Sequence, residues 1–445
     1  MKKRVLSTTK IIMLGFLIGA LVGAVLLYLP ISLQTNEKLS FIDAIFVSTS
    51  SICVTGLSTV NIGHTFSPFG QLVILCLIQM GGLGVVTFTT LILILLNRKI
   101  TLADRLLIQS AYNLDTLSGL VALTTKIVKI TLIIEGIGAL GYSIVFIRDY
   151  GPIGIWYSIF HSVSAFCNAG IDLLGQNSFC MYTGNVLVNI TTMVLIIAGG
   201  LGFPVYWEIA GAFKKKEHKK KRMNYHAKLV IILTIILIVS GALFTFFFEY
   251  NNPDTLGGLS LGDKILASFF QSVSLRTAGF ATIDQSQFRP ASVFLYLFYM
   301  FIGGSPAGTA GGVKTVTVCV LFASIISNIR GKHTVSVFKR AISDTTIRRC
   351  VSIVLFSFSV LAVMSTILMI MYPDDILSVL YEVTSAIGTV GLSRGLTSEL
   401  NFWGKILIAI AMYLGRIGPI TFALAFNSNK NDSGISYPDG KVIIG

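Results

Sequence analysis

Charge is what this chain of 445 residues has least of: Asp, Glu, Lys and Arg make up 12% of it, against 53% hydrophobic residues and a mean hydropathy of +0.80. That balance excludes an ordinary soluble domain, in which about a quarter of the residues are charged. No charged side chain occurs between Ala44 and Asn97, a run far longer than the roughly 20 residues one bilayer crossing needs, so it must hold more than one element. The six cysteines (Cys53, Cys76, Cys167, Cys180, Cys319 and Cys350) form no C-x-x-C pair and no Cys/His metal spacing, which leaves them as small apolar residues. The net charge of +14 has no soluble domain from which to face nucleic acid, so a nucleic-acid partner is excluded as well.

What is present is a series of low-charge segments near residues 11–32, 69–96, 129–147, 184–212, 229–248, 292–328, 350–372 and 403–427. They predict an all-α polytopic membrane protein with eight spans. The basic start and apolar run of "MKKRVLSTTKIIMLGFLIGALVGAVLLYLP" suit a signal peptide in outline. The run is too long, however, and lacks a small-x-small cleavage site, so a retained first helix is expected. The segments "NRKITLADR", "KKKEHKKKR" and "RGKHTVSVFKRAISDTTIRR" are heavily basic, whereas the loops near 33–40, 148–156, 249–263 and 373–375 are poor in positive charge. The positive-inside rule then puts both termini in the cytoplasm, with the basic loops within reach of anionic lipid.

A repeat runs through the chain. "STSSICVTGLS" at Gly56 returns as "SVSAFCNAGID" at Gly170, "SVSLRTAGFA" at Gly279 and "TSAIGTVGLS" at Gly391. A second motif follows each: "QMGGLG" with Gly81, "IAGGLG" with Gly199, "FIGGSP" with Gly303 and "YLGRIG" with Gly415. Two motifs at nearly constant spacing divide the chain into residues 1–97, 98–212, 213–329 and 330–427, with a cytoplasmic tail at 428–445. Each unit reads as span, half-buried helix, extended glycine loop, span. The segments "FIDAIFVSTSS", "IWYSIFHSVSAF", "GDKILASFFQSVS" and "DDILSVLYEVTSA" are too short to cross a membrane. Asp43, Asp263 and Asp375 stand at or near three of their starts, where acids cap free amides.

Irregular backbone cannot face lipid, where each unpaired N–H or C=O group costs several kcal/mol, so it must line a water- or ion-filled path. Four such loops around one axis can replace the water around a bare cation with backbone carbonyls, and glycine lets the chain turn those carbonyls inward. The candidate selectivity filter is Val54, Thr55 and Gly56 with Asn168, Ala169 and Gly170, Thr277, Ala278 and Gly279, and Thr389, Val390 and Gly391, one central pore per chain with a cation held by their carbonyls. Residues 300–316, "MFIGGSPAGTAGGVKTV", interrupt the sixth hydrophobic segment with glycines and a proline that break a helix. In the other three units the same position is expected to continue as a helix. Arg416 replaces the Gly82 and Gly200 of the aligned motifs, and a charge within a span marks a cavity or a partner. It could narrow the cation path, or pair with Glu208, Glu135 or a backbone carbonyl.

These motifs resemble the Trk/Ktr/HKT superfamily of cation transporters, and the compact length is similar to its bacterial KtrB branch. "TVGL" at Thr389 to Leu392 is the nearest approach to the TVGYG filter of related potassium channels. The resemblance implies K+ uptake across the bacterial plasma membrane, because in this family glycine at all four filter positions goes with K+ and serine in the first goes with Na+. It also implies that Gly303, Gly304, Ser305, Pro306, Ala307, Gly308, Thr309, Ala310, Gly311 and Gly312 form a gate loop below the filter, with Arg416 beside it. A homodimer, each protomer with its own pore, would sit on a cytosolic ring of regulator-of-K+-conductance (KtrA-like) subunits that bind ATP, ADP or NAD(H), the chain itself binding no nucleotide. Residues 213–228 and 330–349 offer the docking surface, and the tail "SGISYPDGKVIIG" a dimer contact. Whether transport also requires Na+ is left open.

Alternatives from other classes remain. A Na+-permeable or Na+/K+ HKT-like transporter would share the architecture. An intramembrane serine protease could use Ser305 of "GGSPAG" with a histidine base, of which only His161 is near the membrane interior. An alternating-access carrier would instead show two inverted halves. "GIGALG" at Gly136 to Gly141 has dinucleotide-site spacing but no preceding strand, and "GTAGGVKT" lacks the Gly-Lys pair of a phosphate loop. Asp172 and Asp284, after the second and third filters, are candidates for a cation-attracting vestibule that Arg394 would oppose.

Overall fold

A helix bathed in lipid has no need of a polar face, and the four longest helices are apolar around most of their circumference. These outer helices, Thr8–Tyr28, Leu120–Tyr150, Tyr225–Glu249 and Asp344–Met371, open the four units in a computed structural model that describes residues 8–96, 100, 105, 106, 109, 120–175, 177–213, 223–332, 334–373 and 375–418. The second exposes Ile137, Leu140 and Ile144 by 65%, 69% and 66%. In water each would be unfavourable at about 25 cal/mol per Å² of apolar surface; against hydrocarbon that penalty vanishes.

A short pore helix follows each outer helix: Phe41–Cys53, Ile153–Phe166, Leu261–Ser274 and Ile376–Gly388. At 13 or 14 residues these reach about 20 Å and end inside the membrane. Two of the expected acid caps are corrected here. Ser40 and Ser260 are the N-caps, and Asp43 and Asp263 sit three residues on, each accepting the serine hydroxyl while its own amide donates back. Asp375 is itself a cap, accepting from the Ser378 amide at 2.9 Å.

The inner helices differ from the expectation. Pro68–Leu83 and Val85–Leu95 meet at a 106° bend, and Val186–Leu201 and Phe203–Phe213 at 99°. The third is split into Pro290–Phe301 and Thr315–Ile329 by the glycine-rich loop, and the fourth, Phe402–Ile417, stops at Gly418. Gly84, Gly202 and Gly418 have φ of +86°, +88° and +83°, values that side-chain-bearing residues rarely adopt. Each lies three residues after the aligned Gly81, Gly199 or Gly415; in the third unit that place holds Pro306. The first three inner helices are therefore interrupted, and the fourth ends, at one register. Among the described residues four helices are long and apolar enough to span, or six with each bent pair taken as one, which is compatible with eight once the split third inner helix and the fourth are added.

Polar contacts close the units into a ring. Trp156 donates to Gln71 at 2.7 Å between the first and second. The amide of Phe179 donates to the Ala281 carbonyl at 2.9 Å between the second and third. The Tyr381 hydroxyl reaches Gln285 at 2.9 Å between the third and fourth. Lys405 and Asp43 pair at 2.6 Å to join the fourth to the first, the one ion pair among the described residues. On the basic segment 330–349 a small hairpin, Ser336–Val337 with Arg340–Ala341, folds back so that Lys228 and Arg340 lie over the rings of Phe338 and Tyr225. Residues 214–222 of the other basic loop and the tail at 428–445 lie outside the described residues.

Candidate ion path and gate

Each pore helix ends in the same way. Val54, Asn168, Thr277 and Thr389 carry φ of +56°, +58°, +64° and +50°, and two residues on Gly56, Gly170, Gly279 and Gly391 are again positive, at +102°, +65°, +79° and +95°. A left-handed conformation costs an L-residue roughly 1–2 kcal/mol, and three of the four leading residues are β-branched, for which it is a true outlier. The intervening Thr55, Ala169, Ala278 and Val390 have ordinary φ. Such alternation of hand turns successive carbonyls toward one side of the chain.

The four glycines meet. A Cβ placed on Gly56 would lie 2.5 Å from the Ala169 carbonyl oxygen, one on Gly170 2.6 Å from that of Ala278, and one on Gly279 2.7 Å from that of Val390. A Cβ on Gly391 would press on the carbonyl oxygen of Thr55. Each glycine therefore backs onto the carbonyl preceding the next unit's glycine, and the series closes on itself. The twelve residues expected to form a filter are brought together as one ring of loops.

Four serines that the sequence reading passed over hold this backbone. Ser50, Ser164, Ser274 and Ser385 are fully buried in the pore helices. Ser50 and Ser385 accept from the amides of Gly56 and Gly391 at 3.1 and 3.0 Å. Ser164 binds both the amide and the carbonyl of Ile171, and Ser274 donates to the Phe280 carbonyl. The signal was present as a serine six residues before the glycine in three units and five before it in the third. Glu382, also buried, accepts from Ser393 and Thr397 just beyond the fourth glycine.

The loop between Phe301 and Thr315 lies against these loops and against the broken second inner helix. At the Gly202 break, the last carbonyls of Val186–Leu201 lose their helical donors; those of Gly199 and Gly200 accept instead from the amides of Thr309 and Ser305, both at 3.1 Å. The Phe203 amide, just past the break, donates to Ala307 at 3.1 Å. The Thr309 hydroxyl stands 3.2 Å from the Phe166 carbonyl and 3.0 Å from Asn168 Oδ1, and Gly311 packs on the Thr389 hydroxyl. The ten residues Gly303 to Gly312 thus sit directly beside two of the four filter loops.

Arg416 donates from Nη1 to the Thr309 carbonyl and from Nη2 to the Gly81 carbonyl. Glu208 and Glu135 have other partners, the Asn224 amide and Gln79. Of the readings of Arg416, pairing with a backbone carbonyl is the one this geometry shows, and one of the two carbonyls belongs to the loop. Lys314, which the sequence reading did not single out, donates to the adjacent Ala310 carbonyl at 2.7 Å. Two cations therefore grip neighbouring carbonyls of the loop. The protease alternative finds no dyad here: Nδ1 of His161 lies 2.6 Å from the Tyr157 carbonyl and Nε2 accepts from the Leu173 amide, among aromatic rings, while Ser305 is buried without a partner among the described residues. Asp172 and Asp284 accept from the amides of Leu174 and Ser286 in local turns, and Arg394 donates to Ser378 and the Gln285 carbonyl.

Comparison with known proteins accords with this arrangement. The sequence pattern of the family described as TrkH, cation transport protein, matches residues 16–434. The Ktr system potassium uptake protein B of Bacillus subtilis is 40% identical over 98% of this chain and 96% of its own length. The potassium/sodium uptake protein NtpJ of Enterococcus hirae is 38% identical over 100% and 99%, and the Ktr system potassium uptake protein B of Vibrio alginolyticus 36% over 98% and 94%. In fold, the crystal structure of the potassium transporter TrkH from Vibrio parahaemolyticus superposes with a TM-score of 0.75, at 19% identity over 96% of this chain and 86% of that one. The chain is a membrane protein that belongs to the TrkH family of cation transport proteins, not an enzyme.

Proposed function

We propose that the chain takes up K+ across the bacterial cell membrane as the ion-translocating subunit of a Ktr-type system, with Val54–Gly56, Asn168–Gly170, Thr277–Gly279 and Thr389–Gly391 as its filter. The closed ring of four glycines, each against a carbonyl of the next unit, carries this reading. Carbonyl oxygens arranged in such a ring can replace a hydration shell, and the absence of four side chains leaves the axis to the ion. The names of the relatives support K+ as the transported ion; sodium in the name of the Enterococcus relative keeps a Na+/K+ transporter as the second reading.

Residues 303–312 and Arg416 act as the gate. Thr309 and Gly311 hold the loop against Asn168 and Thr389, and two cations, Lys314 and Arg416, bind its carbonyls, which supports an obstruction of the proposed cation path. The units divide near residues 97, 212 and 329, both termini face the cytoplasm, and a homodimer rests on a cytosolic nucleotide-binding ring. The hairpin at 336–341 is an exposed basic surface on which such a ring can dock.

Rb+ and Na+ influx into liposomes holding the chain, beside a Gly56→Ser variant, tests the filter. Selective Rb+ entry that the substitution weakens supports it. Equal entry of both ions into the unsubstituted liposomes refutes it.

A further inference from the structure

The proton count at Thr309 does not close as the amide of Asn168 is oriented. One hydroxyl proton faces two oxygens, the Phe166 carbonyl at 3.2 Å and Asn168 Oδ1 at 3.0 Å. Asn168 Nδ2, with two protons, is buried and has no acceptor. Amide orientation is an assignment made from the surrounding hydrogen bonds. Turning the group by half a revolution lets Nδ2 donate one proton to Thr309 Oγ1, which then donates to the Phe166 carbonyl, so that each of these bonds has its own proton. The amide oxygen takes the place that the nitrogen held.

That oxygen has company. Asn168 occupies the same position in its loop as Val54, Thr277 and Thr389, with nearly the same φ, so the four side chains leave the ring on equivalent bearings. The hydroxyls of Thr277 and Thr389 are fully buried and also lack partners. The Thr389 hydroxyl and Asn168 reach Gly311 and Thr309, two residues apart on the gate loop. Three buried, neutral oxygens without donors, at the inner end of a path read as cation-conducting, form a hard donor set suited to an alkali cation; no carboxylate stands among them to favour a divalent one. Val54 leaves the fourth quarter without a side-chain ligand.

We infer that the side chains of Asn168, Thr277 and Thr389 form a cation site at the inner end of the filter, and that Thr309 of the gate loop is the positioning residue that aims the Asn168 oxygen into it. Loop position and ion preference are then linked: when the loop withdraws, the amide is released and the site loses its fixed third ligand. This rests on reading residues 54–56 and their repeats as the filter and 303–312 as the gate.

The test is Rb+ and Na+ influx into liposomes holding the full chain with Thr309→Val, Thr309→Ala, Thr309→Ser or Asn168→Leu, each checked for monodisperse elution. A hydrogen bond of ordinary strength corresponds to about a fivefold change. The Rb+/Na+ rate ratio should fall about fivefold in the Val and Ala variants, persist in the Ser variant, and fall no further when Asn168→Leu is combined with Thr309→Val, since the two act through one bond. A faster influx of both ions at an unchanged ratio in the Val and Ala variants would mean that Thr309 only holds the loop shut, and would overturn the inference while leaving the gate. Loss of selectivity in Asn168→Leu but not in either Thr309 variant would overturn the positioning role. If Gly56→Ser leaves the ratio intact, it is the filter reading that fails.

Discussion

Replacing Arg416 by Met keeps most of the side-chain length and removes the two hydrogen bonds that bind the gate loop at Thr309 to the first inner helix at Gly81. Hydrogen bonds to charged groups contribute about 1.5–3 kcal/mol each, so the gross loss is about 3–6 kcal/mol. A loop that lets go, however, hands both the guanidinium and the carbonyls to water in the path. About half of the gross figure then separates the closed from the open arrangement, and at about 1.4 kcal/mol per tenfold the closed loop loses a factor of roughly 10–150. Initial Rb+ influx into liposomes, per molecule reconstituted, should rise toward that factor until another step limits it. Lys405→Met, on the same helix, severs the ion pair with Asp43 and touches nothing in the loop, so it serves as the control and should leave influx unchanged. An Arg416→Met rate equal to or below that of the unsubstituted chain, with the control unaffected, would refute the assignment of Arg416 as the residue that holds the loop closed.

Gly202→Ala and Gly84→Ala form a matched pair with the same positive φ but different surroundings: a Cβ on Gly202 would strike the Pro306 carbonyl oxygen, whereas Gly84 has nothing within 4 Å. The second should lower the melting temperature by the equivalent of about 1–2 kcal/mol and spare transport; the first should also change Rb+ influx, because it displaces the gate loop. Ser385→Ala leaves the buried Gly391 amide without its acceptor, a loss of about 1–3 kcal/mol, and should narrow the Rb+/Na+ ratio, while Ser352→Ala on the exposed face of the last outer helix should not. Asp43→Asn removes one partner of a mostly buried ion pair, a loss between the roughly 1 kcal/mol of a surface pair and the roughly 3–5 kcal/mol of a buried one that detergent melting curves should register with selectivity intact.

The repeat was legible because the one physical demand of the proposed filter, a carbonyl ring around an ion, falls on four loops alike and leaves a glycine at the same place in each. Its supports were less so. Ser50, Ser164, Ser274 and Ser385 carry no chemistry of their own, and their meaning appears only when the loop folds back six or seven residues to meet them. The breaks at Gly84 and Gly202 were hidden for an energetic reason. One glycine in an apolar helix costs only about 1 kcal/mol, so local pattern tolerates it. At Gly202 the loop of the third unit, about a hundred residues on, takes up the freed carbonyls of Gly199 and Gly200, and no local window contains both halves of that exchange.

Where the units depart from one another is as informative as where they agree. The motif after each filter reads Gly-Gly-Leu-Gly twice, then Gly-Gly-Ser-Pro and Gly-Arg-Ile-Gly. The first unit gives the Gly81 carbonyl to Arg416, the second gives the Gly199 and Gly200 carbonyls to the loop, the third is the loop, and the fourth supplies the cation. A fourfold filter can be built by repetition, since an ion on the axis meets four near-equal quarters. A loop that lies across that axis cannot be fourfold, because four copies of it would collide there. One unit must supply it and the others must hold it, so divergence in this motif is what the proposed gate requires of a chain built from four related units.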